Sequence, residues 1–306
     1  MTTHFIVGWN NDTKAQGALD WALGHDEAGG AGAGWAGDGA TGAGSTETRA
    51  GLTVTLLGVL DKDEHGKKYP ESGAAVELAR LQLEGVVAAA RAGHPAVTVT
   101  GVLVHGDTVT ELVRCSTAEN TLVLGSRNRA EQKTSRRWSV GARVAARIRG
   151  PLAIIPDVEL RQRSGIVVGV DGSSSSDKAL FFAASEGRRT GQTVKVVHAW
   201  VEPAVYQVAY VPDGSDLDSL EAMHRSVVQE AIAQVSDDFA DVSFELAIVE
   251  ATPANALLQA STTARMLVVG NHSLRPLERF FIGSVSHAVI VGLRSPVLVV
   301  PAESLV

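Results

Sequence analysis

The chain alternates short apolar runs with longer stretches in which apolar positions recur every three or four residues. Phe5 to Trp9 and Ile166 to Val170 open the two halves as apolar runs bounded by turn residues, the pattern of a strand buried in a parallel sheet. Each is followed by a polar turn and an amphipathic stretch, Thr13 to Leu23 and Ser176 to Glu186, which read as helices. Further runs come in pairs: Thr53 to Leu60 with Thr193 to Trp200, Val97 to Val104 with Val242 to Val249, Thr121 to Gly125 with Met266 to Gly270, and Leu152 to Ile155 with Val297 to Val300. Helical patterns lie between them at Ala74 to Arg91, Val109 to Thr117, Leu220 to Val235 and Ala254 to Thr263. Each half therefore reads as five strands alternating with about four helices, the signature of a parallel sheet covered on both faces. Pro151 and Pro296 precede the final strands, where a residue of fixed φ and no donor is tolerated.

The pairing of runs is a true repeat. Gly270-Asn271-His272-Ser273, nine residues, then Gly283-Ser284-Val285-Ser286 recurs 145 positions earlier as Gly125-Ser126-Arg127-Asn128, nine residues, then Trp138-Ser139-Val140-Gly141. The register holds without a gap from His105–Pro156 to Glu250–Pro301. Two copies of one domain follow, 1–157 and 164–306, joined through the polar stretch Asp157 to Ser164. The first copy alone carries a Gly-rich insertion, Ala28 to Thr46. Its Gly32-Ala33-Gly34-Trp35-Ala36-Gly37 matches a dinucleotide-binding spacing, but it follows a helix and opens none, so it reads as a surface loop. The second copy has its own long connection, Glu202 to Asp218 with Tyr206 and Tyr210, either a cover for a ligand or a plain crossover.

A Gly-rich turn leading into Ser-Val-Ser at a helix start suits phosphate, because small residues let backbone N–H groups approach and the helix N-terminus favours an anion. With the repeat, the five strands and this loop spacing, the chain resembles the universal stress protein family in tandem form. The residues that carry the likeness are Ile166 to Ser173, Val268-Val269-Gly270, Gly283-Ser284-Val285-Ser286 and Pro296-Val297-Leu298-Val299-Val300. The resemblance implies an α/β fold of two repeated Rossmann-like domains, each a five-stranded parallel sheet of order 3-2-1-4-5 with helices on both faces. It also implies ATP, with or without Mg, at the carboxyl ends of the second copy's strands. Val170 and Asp171 would end the first strand and meet the nucleoside, and Ala199 would offer backbone groups to the base. Val269 and Gly270 would flank the ribose, while Ser273, Gly283, Ser284, Val285 and Ser286 would wrap the phosphates. Ser273 stands where the family has a glycine. The last strand of each domain would pair with its counterpart, and whole chains would associate as a homodimer.

The first copy departs further: Asn10 replaces the aspartate, Asn128 and Trp138 replace glycines, and Gly141 replaces the last hydroxyl residue. An indole at Trp138 would fill the space of a phosphate, so this site is expected to be closed to triphosphate. Bland readings stand beside these. Asp171 is either a ligand residue or a cap for the next helix, a task the Ser173 to Ser176 run could take instead. Ser284 and Ser286 are either phosphate contacts or helix-start residues. Arg127, Arg129, Lys133, Arg136 and Arg137 make the first loop basic, either as a solvated loop or as a site for an anionic partner, and Arg275 and Arg279 do so more mildly in the second. His272 and His287 have no carboxylate or histidine spacing that makes a metal site.

The bulk numbers remove other classes. A formal net charge of -7 over 306 residues gives no electrostatic reason for a nucleic-acid partner. Cys115 is the single cysteine, so no intrachain disulfide can form, and it reads as a core residue. No apolar stretch approaches the ~20 residues that span a bilayer. Met1-Thr2-Thr3-His4 lacks the features of a signal peptide, and a cytoplasmic protein is the expectation. No nucleophile–base pair or acidic metal cluster of a phosphotransferase can be assembled, so the expected role is regulatory rather than enzymatic, in stress or growth arrest, through a protein partner the sequence does not name. The opposing reading is an interaction module of the same fold that binds no nucleotide.

Overall fold

A computed structural model describes residues 3–61, 68 and 70–302 apart from 28–50, 127–138, 160–161, 202–213 and 272–281. The chain divides into two compact units, one spanning Met1–Asp157 and the other Val158–Pro276 with Ile282–Ala302. The first unit runs β1 (His4–Trp9), α1 (Thr13–Glu27), β2 (Thr53–Leu60), α2 (Ala74–Gly93), β3 (Thr98–His105), α3 (Thr108–Cys115), β4 (Thr121–Ser126), α4 (Val140–Ala145) and β5 (Leu152–Pro156). The second runs β6 (Ile166–Gly169), α5 (Ser174–Thr190), β7 (Val194–Trp200), α6 (Gly214–Ser236), β8 (Phe244–Glu250), α7 (Pro253–Ala260), β9 (Met266–Asn271), α8 (Ser284–Val291) and β10 (Val297–Pro301).

Every strand pair within a unit is parallel. In the first unit the order is β3-β2-β1-β4-β5, and in the second β8-β7-β6-β9-β10, so each unit has the 3-2-1-4-5 order. Right-handed crossovers place the first two helices of each unit on one face and the last two on the other; α5 packs on α6, α3 on α4 and α7 on α8. The inner strands are apolar on both faces because both are covered, whereas the edge strands β3 and β8 are partly exposed. Phe5, Val7, Leu56, Leu122 and Ile154 in the first unit, and Ile166, Val168, Val196, Leu267 and Leu298 in the second, are buried almost completely. Pro151 and Pro296 stand just ahead of β5 and β10, as their missing donors require, yet their carbonyls extend the ladder by accepting from Leu122 (3.0 Å) and Leu267 (2.8 Å).

Several boundaries differ from the periodicity, each for a local reason. β8 begins at Phe244 and not Val242, because the Val242 N–H is taken by the Phe239 carbonyl at 3.0 Å in a turn. α5 runs on to Thr190 and is stopped by Gly191, in the left-handed region at φ 64. α6 already begins at Gly214, inside the stretch read as connection. α3 stops at Cys115, two residues short of the expected Thr117, where Ser116 turns extended.

An equivalent close approach occurs inside each unit. A Cβ on Gly125, at the end of β4, would lie 2.1 Å from the Lys14 carbonyl oxygen in the first turn of α1, and one on Gly270, at the end of β9, would lie 2.6 Å from the Ser175 carbonyl oxygen in the first turn of α5. Both glycines are thus demanded by strand-to-helix backbone packing. Both units also bend the chain between first strand and first helix through the left-handed region, at Asn11 (φ 61) and Gly172 (φ 79); asparagine is one of the few side chains that tolerates it.

Candidate functional site at the carboxyl ends of β6, β7 and β9

In the second unit β6 lies between β7 and β9. The chain leaves β6 toward β7 on one face and reaches β9 on the other, so the carboxyl ends of these strands flank the switch point where open parallel sheets bind ligands.

The β6 end is fixed by several hydrogen bonds. The Val170 N–H donates to the Val197 carbonyl at 3.0 Å, and the Val170 carbonyl accepts from His198 Nδ1 at 2.8 Å. The Asp171 N–H donates to Ser176 Oγ at 3.4 Å. Asp171 Oδ1 accepts from the N–H (3.1 Å) and the hydroxyl (2.5 Å) of Ser173, while Ser173 caps α5 by accepting from the Ser176 N–H at 3.2 Å. The cap is therefore Ser173, and the exposed Asp171 braces it. Burial, together with the charges of Asp171 and Glu230, raises the pKa of the neighbouring Asp177.

Val269 is buried in β9 opposite Val299 of β10, and Ala199 is half-buried in β7 opposite Val249 of β8. Gly270 follows Val269, and its carbonyl accepts from Ser286 Oγ at 2.9 Å. Ser286 is 2% exposed. Its hydroxyl thus ties α8 to β9 with the side chain facing inward, so that any contact of Ser286 with a phosphate would come from its backbone N–H. Gly283 is the N-cap of α8, with φ -56, and as a glycine it makes no side-chain cap bond. The Gly283 N–H itself donates to Asn271 Oδ1 at 3.3 Å. Ser284 is exposed and Val285 half-buried at the first two helical positions, with no acidic residue in the first turn. The helix start thus presents backbone donors and the positive end of its dipole where an anion can approach. Ser273, His272, Arg275 and Arg279 lie outside the described residues.

The first unit answers each point differently. Asn10 is exposed and donates from Nδ2 to Asp12 Oδ2 at 3.1 Å. Asp12 Oδ1 caps α1 by accepting from the N–H groups of Lys14 (3.0 Å) and Ala15 (2.9 Å). Burial works to raise the pKa of Asp12, but the hydrogen bonds from Ala15 and Asn10 and the charge of Lys14 outweigh it, and the net shift is downward. At the start of α4 the Ser139 hydroxyl accepts from the Ala142 N–H at 3.2 Å, a side-chain cap that the N-cap glycine of α8 cannot supply. Gly141, in the place of Ser286, cannot make the hydroxyl tie; a Cβ there would lie 3.1 Å from Ile154 Cδ1. Asn128, Trp138 and the basic residues Arg127, Arg129, Lys133, Arg136 and Arg137 lie outside the described residues.

The family model described as the universal stress protein family matches residues 163–301, the second unit. Across a longer stretch, the universal stress protein Rv2005c of Mycobacterium tuberculosis is 31% identical over 209 residues, covering 66% of this chain and 68% of that protein. The chain belongs to the universal stress protein family. A second universal stress protein of that organism, Rv1996, is 29% identical over 242 residues, covering 77% and 74% of the two chains. The fold of both units together is matched by the crystal structure of a universal stress protein from Archaeoglobus fulgidus, with a TM-score of 0.64 at 16% identity over 97% of this chain and 96% of that one.

Sequence reasoning missed one cluster at this site. His198 Nε2 lies 2.9 Å from Nδ1 of His224 on α6, and the His224 ring stacks on Trp200 at 5.1 Å with planes 19° apart. The available signal was a histidine and a tryptophan two apart in the otherwise aliphatic β7, Val196-Val197-His198-Ala199-Trp200, which places both on one face. Asn271 was likewise passed over, although it immediately follows Gly270. Among the described residues no group of three or more His, Cys, Asp or Glu side chains is placed to hold a metal ion, and no helix is long and apolar enough to cross a membrane.

Proposed function

We propose that the second unit binds ATP or a related adenine nucleotide, and that occupancy regulates an assembly or a partner in the stress response of a cytoplasmic, homodimeric protein without catalysing a reaction. The observation that carries this is the difference between the two helix starts: Ser139 caps α4 with its hydroxyl, whereas the N-cap of α8 is Gly283, which has no side chain to cap it. A triphosphate would be received by the backbone N–H groups at Ser284, Val285 and Ser286, with Ser273 as a further contact from the preceding loop. The nucleoside would lie along Val170, Asp171, Ala199, Val269 and Gly270. A divalent ion such as Mg would arrive with the nucleotide. The residues fit this group, since the phosphate end is donor-rich and holds no acidic side chain in the first turn of α8.

The test is calorimetric titration of nucleotide-stripped protein with Mg-ATP. One site per chain, lost in Gly283→Trp, is the expected result; Gly283 has an ordinary negative φ, so the backbone accepts a side chain there. Two sites would mean that the first unit also binds, and retention of binding by Gly283→Trp would remove the phosphate site from α8.

A second reading, an interaction module that binds no nucleotide, rests on two observations. The glycine at 270 is demanded by the Ser175 carbonyl, and the hydroxyl of Ser286 by the Gly270 carbonyl. Both residues serve packing without a ligand. Absence of Mg-ATP binding by folded protein would favour this reading.

A further inference from the structure

We propose that His198 is a positioning residue for the nucleoside end of the site, its ring locked by His224 so that Nδ1–H holds the Val170 carbonyl and with it the turn at Val170 and Asp171. This rests on the nucleotide reading above and extends it to residues outside the loop spacing.

The hydrogen-bond chain has one direction. A backbone carbonyl only accepts, so the 2.8 Å contact to Val170 requires the proton on His198 Nδ1. In the neutral ring Nε2 is then the acceptor, and the 2.9 Å contact requires His224 to donate from Nδ1. Burial and the neighbouring His198 lower the pKa of His224, which keeps that ring neutral at neutral pH. Trp200 stacks on the outer ring and fixes its plane.

What this chain holds is the β6 end. His198 is 8% exposed, and a buried donor aimed at a carbonyl resists displacement, since leaving either group unpaired costs more than the bond gains. The Val170 carbonyl directly precedes Asp171, whose exposed carboxylate lies at the β6 end. Without His198 the peptide between Val170 and Asp171 keeps only the 3.4 Å bond from its N–H to Ser176 Oγ, and the aim of the Asp171 side chain is loosened. The phosphate end, on β9 and α8, has its own ties through Asn271 and Ser286. The two ends of the site are thus held by separate sets of bonds.

That separation makes the test. In His198→Asn the amide nitrogen occupies the place of Nδ1, because both are attached to Cγ, and the bond to Val170 survives. In His198→Gln the amide reaches the place of Nε2 and the bond to Val170 is lost. His224→Phe keeps the stack on Trp200 and removes the donor, at a half-buried helix position that tolerates it. Calorimetric titration of each stripped, full-length variant with Mg-ATP and with inorganic tripolyphosphate reads the effect. Loss of one hydrogen bond to the turn predicts Mg-ATP binding weakened roughly tenfold in His198→Gln and several-fold in His224→Phe, with His198→Asn within about twofold of wild type. Tripolyphosphate binding is expected to be unchanged in all three. Equal affinities for the Asn and Gln variants, or parallel weakening of tripolyphosphate, would overturn the proposal. Imidazole nitrogen shifts give an independent reading: an unprotonated His198 Nε2 is expected, and a protonated one would reverse the chain and refute it. If wild-type protein takes up no Mg-ATP, the functional reading itself fails and this inference falls with it.

Discussion

Replacing Gly270 by alanine puts one carbon where the structure has none to spare. The added Cβ would stand 2.6 Å from the Ser175 carbonyl oxygen, 2.8 Å from its carbon and 2.9 Å from its hydroxyl. Ordinary contact begins at 3.4 Å, so β9 and the first turn of α5 would have to part by 0.8 Å (3.4 minus 2.6). The obstructing atoms are backbone, fixed on one side by the ladder to β10 and on the other by the cap of α5. No rotamer change relieves the clash. Overpacking of this kind costs about 1–3 kcal/mol, and more where backbone must move, so we expect Gly270→Ala to lose about 2 kcal/mol or more. At Gly125 the distance is 2.1 Å to Lys14 and the shift required is 1.3 Å (3.4 minus 2.1), so Gly125→Ala is expected to lose more. The control is Gly17→Ala within α1, where a Cβ meets nothing within 4 Å; a glycine in a helix interior costs about 1 kcal/mol relative to alanine, so this variant should gain stability. Urea unfolding followed by far-UV circular dichroism measures all three as shifts of midpoint at constant slope. A Gly270→Ala protein within about 0.5 kcal/mol of wild type, the range of ordinary surface substitutions, would refute the close-approach argument.

Three further outcomes follow. Burial lowers the pKa of His4 below its ordinary 6.5, so the unfolded chain takes up the proton first; the His4 contribution is complete above about pH 6.5 and is lost as pH falls from there toward the folded-state value. His4 Nε2 is 2.9 Å from Thr55 Oγ1 in a ladder that continues to Thr100, and melting temperatures between pH 8 and 5 should therefore fall less steeply in His4→Gln than in wild type. Asp12→Ala and Ser173→Ala each remove a helix cap, an expected loss of about 1 kcal/mol in chemical denaturation, and no loss in either would reassign the caps. Ser286→Ala leaves the buried Gly270 carbonyl without its 2.9 Å donor; a loss of about 1–2 kcal/mol with tripolyphosphate binding retained is expected, whereas abolished binding at unchanged stability would return the hydroxyl to the phosphate.

The alternation of strands and helices and the duplication were legible because they follow from repeated, local signals, whereas the strand order came from the family resemblance. Apolar runs such as Ile166 to Val170 are short and sharply bounded, and the Gly270 to Ser286 spacing recurs at Gly125 to Gly141. What did not show was the direction of individual side chains. Ser286 looked like a phosphate contact because a hydroxyl at the third position of a helix can face either way, and only the neighbouring strand decides that it meets the Gly270 carbonyl. Gly270 carried the same ambiguity: close approach to a ligand and close approach to a helix demand glycine equally. His198 and His224 are 26 positions apart, and nothing in the spacing announces that a strand and a following helix will bring two rings into contact. The early start of α6 escaped notice because Gly214-Ser215-Asp216 reads as turn chemistry, although serine and aspartate also favour the first positions of a helix.

If the second unit binds a nucleotide as proposed, the contrast between the starts of α4 and α8 would turn one half of the duplicated chain into a thermometer for solute. A unit whose helix donors are completed by its own serine melts at a temperature set by its sequence alone. A unit that leaves them to an anion gains stability in proportion to the logarithm of ligand concentration, about 2.7 kcal/mol at a hundredfold excess over the dissociation constant. Two units of one fold and one ancestry would then separate on heating as the nucleotide level changes, the first serving as a fixed internal reference for the second.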